Sequence, residues 1–112
     1  MSRAEDSIQE SIVSYLRLAV PHLLVFAIPN EAKRSPQLAA AMKRRGMCPG
    51  IPDLCLVATG GKSYFLEVKS AKGKLSESQI NIMSLMTDRL IPRATVRSIS
   101  ETESVLHEWR LL

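Results

Sequence analysis

Apolar residues along the chain change between helical and strand spacing, and these changes mark out eight elements. Recurrence every three or four residues predicts an amphipathic helix, and short dense or alternating apolar runs predict strands. The predicted helices cover 5–18 and 36–45, a third runs from a Ser76 cap to Leu90, and a fourth runs from a Ser100 cap to Trp109. The predicted strands cover 22–28, which we expect to be buried, and 53–59, 62–70 and 93–99.

The resulting order, α-β-α-β-β-α-β-α, fits a single α/β domain over residues 1–112. A chain of 112 residues has the size of one domain. Four strands with helices between them predict a mixed β-sheet flanked by helices. Gly60 and Gly61 form a two-residue hairpin turn in this interpretation, so the second and third strands should be antiparallel neighbours.

The hairpin is expected to bring charged residues together. Glu67 and Lys69 lie two positions apart on one strand and therefore face the same side. A two-residue turn would pair Thr59 with Lys62, and this register places Asp53 near position 68. Two carboxylates and one ammonium group would thus meet at the open end of the hairpin.

Such a group of side chains suits a magnesium ion. Mg²⁺ prefers oxygen ligands and keeps waters that can take part in chemistry. The ion can polarise a phosphodiester and lower the pKa of an attacking water, while Lys69 can stabilise charge on the phosphate. The alternative is a salt bridge between Glu67 and Lys69 on a solvated strand face. The rigid segment 50–52 before Asp53 favours the functional interpretation, because a stiff turn would aim the carboxylate.

Positive charge is concentrated in the middle of the chain. The net charge is +4, yet positions 32–75 hold nine basic and only two acidic residues. This segment predicts a polyanionic partner, and a solvated basic surface without a partner is the alternative.

Several other functions find no support in the sequence. No apolar run reaches the roughly 20 residues that span a bilayer, and the charged N-terminus lacks a signal-peptide stretch. Cys48 and Cys55 have neither metal-site nor disulfide spacing. We therefore expect a cytoplasmic protein without a membrane partner. No Ser/His/Asp set and no phosphate-binding glycine loop points to another chemistry.

Three segments together resemble the signature of PD-(D/E)XK nucleases, and most closely the small standalone form of the VRR-NUC (virus-type replication-repair nuclease) domain. They are Gly50-Ile-Pro-Asp53-Leu, Phe65-Leu-Glu67-Val-Lys69 and Gly73-Lys-Leu-Ser76-Glu-Ser-Gln79. The resemblance implies that Asp53, Glu67 and the Val68 carbonyl hold a metal ion and that Lys69 is the catalytic lysine. It also implies a site role for Gln79, whose alternative role is to complete a capping box with Ser76.

The family also places a glutamate of the first helix in the site, and Glu5 and Glu10 compete for this role. At 100° per residue from Ile8, Glu5 falls at about 60°, within the apolar stripe, and Glu10 at about 200°. A carboxylate on the inward face needs a partner such as a metal ion, which favours Glu5. Its alternative role is helix capping with Ser2. Gln9 borders the same face and could help to orient the site.

The resemblance implies a Mg²⁺- or Mn²⁺-dependent DNA endonuclease in a bacterial or phage-infected cell. It also implies a homodimer that cuts branched DNA such as four-way (Holliday) junctions. The flanking groups that we expect on DNA phosphates are Asn30, Lys33, Arg34, Lys43, Arg44, Arg45, Lys72 and Lys74. Candidates for the dimer surface are Ile82, Leu85, Met86 and Trp109. The alternative function is a nucleic-acid-binding module without catalysis.

Overall fold

The computed structural model describes residues 3–29 and 35–112 and shows the predicted order of elements. The helices are α1 (Arg3–Ala19), α2 (Pro36–Arg44), α3 (Glu77–Asp88) and α4 (Ile99–Glu108), and the strands are β1 (Leu24–Ala27), β2 (Leu54–Val57), β3 (Ser63–Val68) and β4 (Arg93–Val96). Each strand is shorter than the run that predicted it. None of the helices in the described ranges is long and apolar enough to cross a membrane.

The four strands form one mixed sheet in the order β1-β2-β3-β4. β2 runs antiparallel to both β1 and β3, whereas β3 and β4 are parallel. A parallel pair needs a crossover connection, and α3 provides it. The mixed sheet and the antiparallel hairpin confirm the fold predicted from the sequence.

One face of the sheet carries the main core. Ile12 and Leu16 of α1 and Leu106 of α4 are fully buried against it. The strand residues of this core are Leu54, Leu56, Tyr64, Leu66, Val68 and Val96. Because side chains alternate along a strand, positions 53, 55, 65 and 67 face the opposite side. The charged hairpin residues therefore lie on the face away from the core, where α3 packs against β4.

β1 is an exposed edge strand, and the prediction of a buried strand was wrong. Leu24 and Phe26 are 63% and 43% exposed, because β2 is the single partner of β1 among the described strands and α1 contacts the other face of β1. Pro21 and Pro29 flank the strand, and proline near an edge limits pairing with further strands. A dense apolar run does not reveal whether both of its faces will be covered.

The hairpin loop contains three residues instead of the predicted two. Ala58 donates its N–H to the Lys62 carbonyl at 2.9 Å, which leaves 59–61 outside the ladder. Both glycines of this loop have positive φ, which lets the chain reverse over one more residue. The strand register consequently shifts by one position, and its continuation places Asp53 across from Glu67.

The start of α4 lies two residues before the predicted position. Its N-cap is Ser98, whose side chain accepts a hydrogen bond from the Glu101 N–H, and not Ser100. Both serines have a glutamate three residues later, so the local pattern permits either cap. β4 ends at Val96, and the earlier end of the strand selects the earlier cap.

The apolar stripe of α3 is covered only in part. Met86 is buried, whereas Leu90, at the end of the predicted stripe, is 89% exposed. Met86 therefore does not belong to a free dimer surface. Trp109 is also engaged within the molecule, since its ring lies 5.0 Å from that of Tyr64. Of the predicted dimer candidates, Leu85 is exposed to 48%.

Candidate active site

Asp53 lies directly before β2, on the sheet face away from the main core. Its side chain is buried, and its Oδ2 accepts a hydrogen bond from the Val68 N–H at 2.7 Å. In a strand, the N–H and C=O of one residue point to the same neighbour. The Val68 carbonyl therefore faces the Asp53 side of β3 as well.

Glu67 is almost completely buried, with 1% of its surface exposed. Gln79 Nε2 donates to its Oε2 at 3.1 Å, whereas its Oε1 has no hydrogen-bond partner among the described residues. Burial, followed by hydrogen bonding to Asp53 and the charge of that residue, raises the pKa of Glu67 to about 9, and the charges of Lys69 and Arg93 oppose this rise. Without a cation, the carboxyl keeps its proton at neutral pH.

Gln79 makes the contacts for both of the roles that the sequence left open, the capping box of α3 and a place in the site. Its Oε1 accepts from the Ser76 N–H at 2.8 Å and its own N–H donates to Ser76 Oγ at 3.2 Å, which completes the capping box of α3. The cap orients the amide so that its Nε2 reaches Glu67. One side chain thus joins the start of α3 to β3.

Gly50 permits the close approach of the segment before Asp53 to α3. Its φ is +87°, and a Cβ at this position would lie 2.3 Å from the Ser78 carbonyl oxygen. Only a residue without a side chain can occupy this place. Segment 50–52, predicted to be a rigid turn, is therefore also a packing contact with the first turn of α3.

Two basic side chains accompany Glu67. Lys69 follows β3, is 9% exposed, and shares the face of Glu67 by alternation. Arg93 of β4 is partly buried, and its charge lowers the pKa of Glu67. Sequence reasoning missed Arg93, because only the parallel pairing of β4 with β3 brings it to this face. The one sequence signal for Arg93 was the alternation of apolar and polar residues over 93–99, which predicted a strand.

Glu5 and Glu10 of α1 occupy different places near the site. Glu5 is partly buried, and its Oε2 would lie 3.3 Å from a Cβ at Gly73. Glu10 is exposed and lines a cleft of about 580 Å³ together with Gln9 and Asp53. The buried Oε1 of Gln9 has no partner within the described ranges. The helical angles gave the right order of burial for the two glutamates, and the choice between them as site residue stays a prediction.

The predicted phosphate-binding groups lie in three parts of the chain. Lys43, Arg44 and Arg45 are exposed at the end of α2, a helix that packs on no other element within the described part of the chain. Lys72 and Lys74 are exposed between β3 and α3. Asn30, Lys33 and Arg34 lie outside the described residues, as does Ser2, the predicted cap of α1.

The ligand set at the hairpin fits a divalent cation that keeps most of its waters. Within 3–29 and 35–112, no group of three or more His, Cys, Asp or Glu side chains could hold a metal ion. The remaining protein ligands would be Asp53, Glu67 and the Val68 carbonyl. Glu67 Oε1 is buried without a donor among the described residues, and a proton shared with Asp53, which the raised pKa indicates, or a bound cation would each account for this. Mg²⁺ commonly binds through one or two carboxylates.

The mixed sheet flanked by helices, with Asp53, Glu67 and Lys69 on one hairpin, fits the PD-(D/E)XK class of nuclease folds that the sequence resembles. Within this class the chain belongs to the VRR-NUC domain family, whose model matches residues 3–99. It is a nuclease-type DNA-processing domain.

Solved structures show the same fold. One described as "VRR_NUC domain" has 19% sequence identity and a TM-score of 0.65, over 96% of this chain and 99% of that chain. Another, described as "VRR_NUC domain protein", has 16% identity and a TM-score of 0.72, over 97% of this chain and 89% of that chain. The comparison with curated proteins gave no match.

Proposed function

We propose that this protein is a Mg²⁺-dependent DNA endonuclease that hydrolyses phosphodiester bonds, and that Mn²⁺ can replace Mg²⁺. The observation that supports the proposal most directly is the buried Asp53–Glu67 pair, with one Glu67 oxygen unpartnered among the described residues. A bound Mg²⁺ would polarise the phosphodiester and lower the pKa of the attacking water.

The side chains of the hairpin have separate tasks in this proposal. Asp53, Glu67 and the Val68 carbonyl would hold the cation. Gln79 donates to Glu67 and keeps its carboxylate in one orientation. Lys69 presents a positive charge on the same strand face, where negative charge grows on the phosphate during hydrolysis.

The proposed substrate is branched DNA such as a four-way junction, and the proposed active form is a homodimer. Both follow the resemblance to small standalone VRR-NUC domains, and two sites related by a two-fold axis would match a symmetric junction. A chain of this size has limited surface for holding DNA alone. The exposed basic end of α2 would add contacts to flanking phosphates.

A cleavage assay on linear, flap and four-way DNA, with Mg²⁺, Mn²⁺ or EDTA, tests the proposal. We expect junction cleavage with either metal, and none in EDTA or after Asp53→Asn or Glu67→Gln. The matched control is Asp88→Asn, which alters an exposed carboxylate at the end of α3 and should cleave like the wild type.

Two outcomes would contradict the proposal. Junction binding without cleavage under any of these metals would support the non-catalytic binding module instead. Cleavage near the wild-type rate by both carboxylate variants would exclude the proposed metal site.

A further inference from the structure

A tight turn separates Lys69 from α3. The Gly73 N–H donates to the Ser70 carbonyl at 3.1 Å and closes the turn. The turn lies against α1, since a Cβ at Gly73 would be 2.9 Å from Ser70 Oγ and 3.3 Å from Glu5 Oε2. The chain directly after Lys69 is therefore closed into a turn, with Gly73 beside Glu5 of α1.

The Arg97 guanidinium holds both ends of this turn. Its Nη1 donates to the Ser70 carbonyl at 2.6 Å and to the Gly73 carbonyl at 2.7 Å. The Ala71 carbonyl lies at the longer distance of 3.5 Å. Hydrogen bonds from a charged donor are stronger than neutral ones, so this nitrogen fixes the spacing of the two carbonyls.

Arg97 is itself attached to well-packed structure. It follows Val96, the fully buried last residue of β4, and its N–H donates to Glu101 Oε1 of α4 at 3.0 Å. The Val96 carbonyl accepts from the Lys69 N–H at 3.0 Å. Consecutive residues at the end of β4 thus hold the backbone of Lys69 and the turn that follows it.

We propose that Arg97 is a positioning residue that keeps Lys69 directed at the reacting phosphate, an inference that rests on the proposed nuclease function. Lys69 stands one residue beyond the end of β3, so the placement of its side chain depends on the Val96 hydrogen bond before the turn and on the turn that follows. A displacement of about 1 Å at a reacting group can cost about 100-fold in rate. The hydrogen bonds from Arg97 to the turn oppose such a displacement, and Arg97 itself need not touch the substrate.

A double-mutant cycle with single-turnover cleavage of junction DNA tests this role. We expect Arg97→Met to lower the rate at saturating DNA at least about tenfold, while Mn²⁺ affinity and DNA affinity change less than about threefold. In a Lys69→Ala background, measured at high enzyme concentration with Mn²⁺, the same change should cause little further loss, because the lysine that it positions is absent. Arg97→Lys, which retains a charged donor, should recover part of the rate.

The matched control is Arg89→Met, because Arg89 Nη1 also donates to a backbone carbonyl, that of Leu85 at 3.0 Å, on the exposed side of α3. This control should cleave at the wild-type rate. If Arg97→Met does not fold, Arg97→Lys takes its place in the cycle. Its loss of cleavage rate should be smaller and should again disappear in the Lys69→Ala background.

The possible failures are distinguishable. A wild-type cleavage rate in the Arg97 variants would overturn the positioning role alone. So would a double variant whose rate falls by the product of the two single-variant factors, because Arg97 would then act independently of Lys69. If the wild type and Arg89→Met also lack metal-dependent cleavage, the nuclease proposal and the role of Arg97 fall together.

Discussion

The raised pKa of Glu67 favours the protonated form of its buried carboxyl, whereas the proposed cation would bind the charged form. Its pKa is raised to about 9 in the folded chain, from an ordinary value of 4.5. Between these values the folded state holds a proton that the unfolded chain has lost, so stability falls as the pH rises. The contribution of this group is complete below about pH 4.5 and is lost on the way to pH 9.

We predict that Glu67→Gln removes this pH dependence from the metal-free protein. Relative to the wild type, the variant should gain on the order of 4 kcal/mol in free energy of unfolding between about pH 5.5 and pH 8.5. Urea unfolding in EDTA measures the effect. Glu108→Gln, on the exposed side of α4, is the control. Its free energy of unfolding should change with pH as that of the wild type does. Parallel curves for Glu67→Gln as well would show that Glu67 does not titrate in this range.

Gly50 offers a second test at the level of one residue. Gly50→Ala should lower the free energy of unfolding by about 1–3 kcal/mol and cleavage at least about tenfold, because a Cβ would push the first turn of α3 away from Asp53. The control is Gly60→Ala, where φ is also positive, at +96°, but no atom of the described residues lies within 4 Å of the new Cβ. Equal losses of activity in both variants would contradict the contact-based explanation.

The two glutamates of α1 are separated by conservative substitution. We expect Glu5→Gln to lower cleavage at least about tenfold and to weaken Mn²⁺ binding, since a partly buried carboxylate beside the turn that follows Lys69 is harder to replace than an exposed one. Glu10→Gln should have little effect, although Glu10 lines the cleft beside Asp53. Mn²⁺ titration and single-turnover cleavage provide the comparison. The reverse order of effects would assign the site glutamate to Glu10.

Among the elements, α2 and α3 have opposite relations to the sheet. α3 is attached to β3 through the Gln79–Glu67 contact, whereas α2 packs on no other element of the described chain and ends in three exposed basic residues. α3 is therefore suited to fixing the site, and α2 to contacting phosphates at some distance from it.

This difference predicts a separation of binding from chemistry. Replacing Lys43, Arg44 and Arg45 together by Ala should weaken junction binding and make its salt dependence shallower by up to ~3 phosphate contacts. The rate at saturating DNA should be preserved. Lys69→Ala should do the opposite, with most of the rate lost and little loss of affinity.

Titrations of junction DNA at several salt concentrations, followed by single-turnover cleavage, measure both quantities. If Lys69→Ala loses affinity and keeps its saturated rate, Lys69 binds DNA and its catalytic role has to be withdrawn. An unchanged salt dependence in the triple variant would exclude the end of α2 from the DNA interface.

For the whole molecule, we predict a dimer with about twice the 12.4 kDa mass of one chain in light scattering at micromolar concentration. Two copies would supply two sites for the two strands that a symmetric junction requires to be cut. The same preparation should cleave four-way DNA. A strictly monomeric mass together with junction cleavage would refute the two-site arrangement.

The fold was predictable where its signals are local. Pro36 is the first residue of α2, Ser35 is its N-cap, and Gly46 follows the end of the helix with positive φ. Gln79 completes the capping box of α3. Each of these depends on residues within one helical turn. The hairpin loop was mispredicted because two glycines permit turns of different length, and the uncovered face of β1 has no local signature.

The sequence alone determined the order of elements and the carboxylate–lysine motif, since alternation along a strand puts Glu67 and Lys69 on one face whatever surrounds them. Tertiary structure decided which groups meet that face. The Gln79 contact to Glu67 spans 12 residues of sequence and the Arg97 contacts span 24 to 27. Such contacts depend on strand order, register and helix packing, which arise from the burial of the whole core and not from any neighbouring residues.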